Sequence, residues 1–193
     1  MPTTWDGGSR LPLIVMLHGA GSDENRYMDK VAAKQRATVT PEAEHTLELS
    51  EKDVINVLEI VWNEYPINRS SVFLAGHSMG SGETWYLGAK SSKYWRAIAP
   101  MSGPFVDEAN YPWDHLRSIP IMMSEGTLAL PSVQGSRVMR DWMFQQNLTF
   151  EYYEVKADHG GMVPWCYQPS STSLIDIGRS SLHHFHLNGT HPW

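Results

Sequence analysis

One serine in this chain is placed where a nucleophile would be. Ser78 lies at the centre of GHSMG, residues 76–80, a G-x-S-x-G pattern with an apolar run before it and a helix-forming run after it. A serine hydroxyl is a poor nucleophile at neutral pH. It needs an exposed position, an adjacent base, and N–H donors for the oxyanion that forms when it attacks a carbonyl. A sharp strand-to-helix turn, a nucleophile elbow, lifts the side chain clear of a sheet, and the flanking Gly76 and Gly80 keep side chains out of the crowded backbone there. The same turn sets the backbone N–H of Met79 at a helix N-terminus, where it can face developing negative charge. A glycine-rich turn whose serine merely caps the helix would share the pattern, so the partners decide.

A second oxyanion donor is expected from HGAGSDE, residues 18–24, where a small-residue turn after an apolar strand can aim the backbone N–H of Ala20 at the same point. Taken alone this is an ordinary tight turn between a strand and a helix. Upstream of GHSMG, at the same edge of a sheet, the donor reading is favoured. The base should follow the serine on a late loop. EYYEVKADHGGMVP puts His159 on such a loop after a β-rich run, with Gly160 and Gly161 leaving it accessible. His45 and His115 fit no such position, and His18 and His77, inside the two motifs, are read as shaping residues.

The elements that would carry these residues alternate. LPLIVMLHG (11–19) reads as a strand buried on both faces, residues 23–36 as a helix and ATVTPEA as a short strand. SEKD at Ser50 resembles a capping box opening a helix whose buried face is Val54, Val57, Leu58, Val61 and Tyr65. SVFLAG (71–76), RAIAPMSG (96–103), IPIMMSEG (119–126) and LTFEYYEV (148–155) are further strands. MGSGETWYLGAK is a helix, and so is GSRVMRDWMFQQN, with Val138, Met139 and Trp142 on one face. Such alternation predicts an α/β fold with an open, mostly parallel sheet flanked by helices on both faces. Ligands bind beyond the carboxyl ends of such strands, where LHG, AGHS, MSG and SEG all fall.

With 193 residues, 41% of them hydrophobic, the chain suits one globular domain. A net charge of −6 gives no footprint for nucleic acid or an anionic membrane surface, and no run approaches the roughly 18 apolar residues of a membrane span. A small-molecule partner is therefore expected, with no nucleic acid and no membrane insertion. The N-terminal stretch reads as a strand rather than a signal peptide, and the single cysteine, Cys166, leans towards a reducing, cytoplasmic setting.

LPLIVMLHGAGSDE, GHSMGSGETWYLGAK, APMSGP, GSRVMRDW and DHGGM together resemble the esterase branch of the α/β-hydrolase superfamily, related to polyhydroxybutyrate depolymerases and prolyl-oligopeptidase catalytic domains. The resemblance spans residues 11–164. It implies hydrolysis of an ester or related acyl substrate by a Ser, Asp, His triad, with Ser78 and His159 as catalytic residues, Ala20 and Met79 as oxyanion donors, and no metal or cofactor. Two alternatives stand beside it: a peptidase of the prolyl-oligopeptidase type, for which the chain has no room for a propeller or lid domain, and a degenerate hydrolase fold that binds without turnover.

The chain departs from the family in two places. The triad acid is expected near Leu128 or Ala129, and SEGTLALPSVQGSR carries no aspartate there; Glu125 and Asp158 are close in sequence but neither occupies the matching position. Without the acid, activity falls by roughly 10⁴-fold. Residues 165–193 form an atypical tail with neither helical nor strand periodicity. Read one base out of frame, Trp165 to Gly178 can be back-translated into an amphipathic helix, so a shifted frame is expected to have altered the end of the domain. On that reading HHFH (183–186) is an accident of translation rather than a metal site.

Overall fold

The computed structural model describes residues 6–20, 37–39, 47–103, 111–130 and 132–162. The expected helix over 23–36, the tail over 165–193 and HHFH all lie outside the described residues.

Strands β1 (Leu11–Leu17), β2 (Ala37–Val39), β3 (Ile67–His77), β4 (Ala97–Met101), β5 (Ile121–Gly126) and β6 (Phe150–Val155) form one sheet in the order β2-β1-β3-β4-β5-β6. Every pairing is parallel. The expected α/β architecture with a parallel sheet is what the chain adopts. Between the strands run α1 (Leu47–Glu64), α2 (Met79–Lys90) and α3 (Ser132–Gln145), with short 3₁₀ turns at Ser92–Tyr94 and Trp113–Leu116.

Alternate residues of the strands supply two cores, as the two-residue period of a strand requires. On one face Leu13, Val15, Leu17, Val72, Leu74, Ile98, Ile121 and Met123 pack against Val54 and Leu58 of α1, Trp85 and Leu87 of α2, and Met139 and Met143 of α3. On the other face Met16, Phe73, Ala75, Ala97, Ala99, Met101 and Met122 form a second cluster. All three described helices thus contribute to one face. The alanines of β3 and β4 keep the second face shallow between its methionines.

Two boundaries and one buried face differ from the sequence reading. Helix α1 starts at Leu47, so Ser50 is inside it rather than capping it. Leu-Glu-Leu are good helix formers, and they carry the helix one turn further back than the capping-box pattern suggested. Tyr65 falls beyond the helix and is 45% exposed, because Pro66 cannot continue the ladder. On α3 the buried line is Val133, Ser136, Met139 and Met143, and Val138 is 57% exposed. Val138 and Met139 are adjacent and lie about 100° apart on a helix, so only one of them can face the sheet.

Candidate active site

Strand β3 runs straight into α2, and the single residue between them is Ser78, with φ 60° and ψ −119°. A non-glycine residue there is strained by about 1–3 kcal/mol. The strain is held from both sides. Ser78 N–H donates to the Met101 carbonyl at 3.0 Å, and its own carbonyl accepts the N–H groups of Ser81 at 2.9 Å and Gly82 at 3.4 Å. Gly76 and Gly80 let backbone meet backbone around it: a Cβ on Gly76 would overlap the Gly80 carbonyl, and one on Gly80 would overlap the carbonyl of Leu17. The turn is therefore clamped between β1, β4 and the first turn of α2.

His159 comes from the loop after β6, more than eighty residues later, and its Nε2 lies 2.8 Å from Ser78 Oγ. In the tautomer that leaves Nε2 unprotonated, the serine hydroxyl donates to it, the geometry a general base needs. The imidazole is exposed. Asp158 Oδ1 accepts the N–H of Gly161 at 2.7 Å and closes the turn around the histidine.

The end of β1 meets the same point. A Cβ on Gly19 would lie 3.1 Å from Ser78 Cβ, so the HG turn rests directly against the serine. His18 is buried, and its Nδ1 lies 2.8 Å from the Gly19 carbonyl oxygen. A carbonyl only accepts, so Nδ1–H donates. In a trans peptide the N–H points opposite to the C=O. Fixing the Gly19 carbonyl therefore fixes the direction of the Ala20 N–H. Met79 opens α2, and a first helical N–H has no acceptor within its own helix.

No carboxylate among the described residues contacts the His159 imidazole. Leu128 is 61% exposed and Ala129 is buried, on the turn where the acid was expected; the Leu128 N–H donates to the Ala157 carbonyl at 3.0 Å, beside the histidine loop. Glu125 is wholly buried and engaged elsewhere. Its Oε1 accepts the Gly126 N–H at 3.0 Å, and its Oε2 accepts the hydroxyls of Ser132 at 2.7 Å and Ser136 at 2.8 Å. It joins the end of β5 to the start of α3.

Two buried groups near the site escaped the sequence reading. Glu83 on α2 is buried, its Oε2 has no hydrogen-bond partner among the described residues, and burial pushes its carboxyl up to about 7. Ser102, just after β4, has φ 54° and a buried hydroxyl with no hydrogen-bond partner among the described residues. A lone glutamate on a helix, or a serine at a strand end, reads as solvated unless the register of its neighbours is known. Among the described residues no three His, Cys, Asp or Glu side chains are grouped to hold a metal ion, and no helix is long and apolar enough to cross a membrane.

No family model matches the chain, and no curated protein matches it. Solved structures do. One is a feruloyl esterase module from Clostridium thermocellum, a serine-to-alanine mutant complexed with sinapinate, at TM-score 0.75 and 17% identity over 95% of this chain and 83% of that one. Another is FphF, a fluorophosphonate-binding serine hydrolase of Staphylococcus aureus with substrate bound, at TM-score 0.65 and 18% identity over 83% and 85% of the two chains. The S-formylglutathione hydrolase of Staphylococcus aureus follows at TM-score 0.64 and 19% identity, over 78% and 75%. These likenesses, all below 20% identity, are of architecture, and by them this chain has the α/β-hydrolase fold.

Proposed function

We propose that the protein is a serine hydrolase that cleaves small carboxylic esters through an acyl-enzyme on Ser78. The observation that carries this reading is the 2.8 Å approach of His159 Nε2 to the hydroxyl of a serine held at φ 60°. Ser78 Oγ attacks the ester carbonyl as its proton passes to His159 Nε2. The carbonyl π electrons move onto oxygen, facing the N–H groups of Ala20 and Met79. Collapse expels the alcohol, which takes the proton from Nε2. Water then attacks the acyl-enzyme by the same steps, with the histidine again as base and then acid, and frees the carboxylic acid and Ser78.

Sinapinate and ferulic acid bound in structural neighbours make hydroxycinnamate esters reasonable substrates to test beside short-chain chromogenic ones. The decisive experiment is labelling of the full chain with a fluorophosphonate, with ester release measured in parallel. Labelling and turnover that vanish in Ser78→Ala are expected. A folded sample that neither labels nor turns over, or labelling that persists in Ser78→Ala, refutes the reading. Release of peptide amides rather than esters would favour the peptidase alternative.

A second reading has its own observation. His159 meets no carboxylate among the described residues, so a degenerate hydrolase fold that binds an ester or acyl ligand without turnover fits the same site. Saturable binding of a hydroxycinnamate ester with no product and no labelling would select it.

A further inference from the structure

We propose that His77, the residue before the nucleophile, is the positioning residue that holds His159 within reach of Ser78, taking over part of the task that a triad carboxylate performs. The inference rests on the esterase reading above. His77 is the last residue of β3, paired with Met101 of β4 and only 4% exposed, so its ring is anchored in the buried end of the sheet. Its Nε2 lies 2.8 Å from the main-chain carbonyl oxygen of His159. That carbonyl can only accept, so Nε2 carries a proton and donates it. The two imidazoles also pack together, with centroids 4.8 Å apart and planes tilted by 41°.

The other edge of the ring meets the oxyanion turn. A Cβ on Gly19 would lie 3.4 Å from His77 Nδ1. One buried ring therefore spans the space between the turn that bears Ala20 and the loop that bears His159. A triad acid orients the imidazole through Nδ1; His77 instead fixes the backbone from which the imidazole hangs and packs against its ring. His159 is exposed and followed by two glycines; the hydrogen bonds of Ala157 and of Asp158 hold the loop on either side of it, and the bond from His77 is the one made to the His159 main chain itself. A misplacement of about 1 Å at a reacting group costs roughly 100-fold, which is what such a restraint prevents.

The test separates this role from simple core filling. His77→Phe keeps a ring and removes the donor, His77→Gln offers an amide N–H at nearly the reach of Nε2, and His77→Asn offers one too short. With a chromogenic acetate ester, kcat is expected to fall about 10- to 100-fold in His77→Phe and in His77→Asn with KM within about twofold. His77→Gln should recover most of the loss. In a His159→Ala background, His77→Phe should change the residual rate by less than about twofold, since there is no base left to position. Wild-type kcat in His77→Phe, or equal losses in both backgrounds, overturns the proposal. Amide exchange over residues 157–161 reads the same restraint without turnover: about tenfold faster exchange in His77→Phe and none in His77→Gln is expected. Unchanged exchange in His77→Phe overturns the proposal even if wild type proves inactive, whereas inactivity with the exchange effect intact counts only against the esterase reading.

Discussion

Glu83 ties the elbow helix to pH in a way that can be measured. It is 6% exposed on α2, its Oε2 has no partner among the described residues, and burial raises its carboxyl from 4.5 to about 7. Between those two values the folded chain keeps a proton that the unfolded chain has released. Where the native state binds more protons, stability falls as pH rises. The contribution is fully present below about 4.5 and is lost as pH climbs through about 7. At about 1.4 kcal/mol per unit the ceiling is about 3 kcal/mol, and relaxation of the site around the charged form reduces it to about 2 kcal/mol. Glu83→Gln removes the titration but keeps the size and the burial. Thermal unfolding of both proteins at several pH values between 4.5 and 8 isolates the effect, because all other titrations cancel in the difference. At about 2–4 °C per kcal/mol for a chain of this size, the variant's Tm should gain about 4–8 °C on the wild type across that range. A gap that stays constant with pH would refute the reasoning, whatever its size, since a constant gap measures only the exchange of one buried polar group for another.

Leu128→Asp is expected to raise kcat/KM at least about tenfold in an ester assay, because it returns a carboxylate to the turn that already hydrogen-bonds the histidine loop, and Leu128 is 61% exposed, so little burial is lost; an unchanged rate would show that this turn cannot reach Nδ1. Gly76→Ala should destabilise by about 3 kcal/mol or more, read by chemical denaturation, because its Cβ would overlap the Gly80 carbonyl. Ser136→Ala should cost about 1–2 kcal/mol and Glu125→Ala about 3 kcal/mol in the same assay, the larger loss reflecting two hydroxyls and one N–H left unpaired; neither is expected to alter the labelling of Ser78. Resequencing the coding region should reveal a missing base at or just before the codon of Trp165, and an unambiguous in-frame read would remove the frame-shift explanation of the tail.

What could be read from the sequence was whatever depends on near neighbours. Apolar runs closed by glycine gave the strands, because a strand buried on both faces has no choice but to be apolar throughout. The pattern GHSMG marked the turn, because backbone crowding there admits little but glycine at positions 76 and 80. Contacts between distant segments stayed out of reach. Nothing local marks Ser136 as buried, since its hydroxyl is satisfied by Glu125, eleven residues away. Nor does local sequence show that His77 grips the carbonyl of His159, eighty-two residues on. The start of α1 differs for the opposite reason: a local capping signal is present at Ser50, and stronger helix propensity upstream overrides it.

The placement of β1 carries a consequence for how the protein is made. It precedes the other described strands in the chain, yet it lies inside the sheet, with Val15 opposite Ala37 on one side and Leu74 on the other. Its interior partner does not exist until β3 has been made, so the nascent chain carries an apolar segment whose second edge is open, with Pro12 as a guard against strand-to-strand association. Long-range parallel pairing of this kind folds slowly, because loop closure must precede the contacts that reward it. The strained turn at Ser78 is completed later still, when β4 supplies the Met101 carbonyl and the loop after β6 brings in His159. The geometry around Ser78 thus requires segments from nearly the whole described chain to have found one another, so under the proposed esterase reading a covalent probe of this serine is a clock for the final assembly of the sheet.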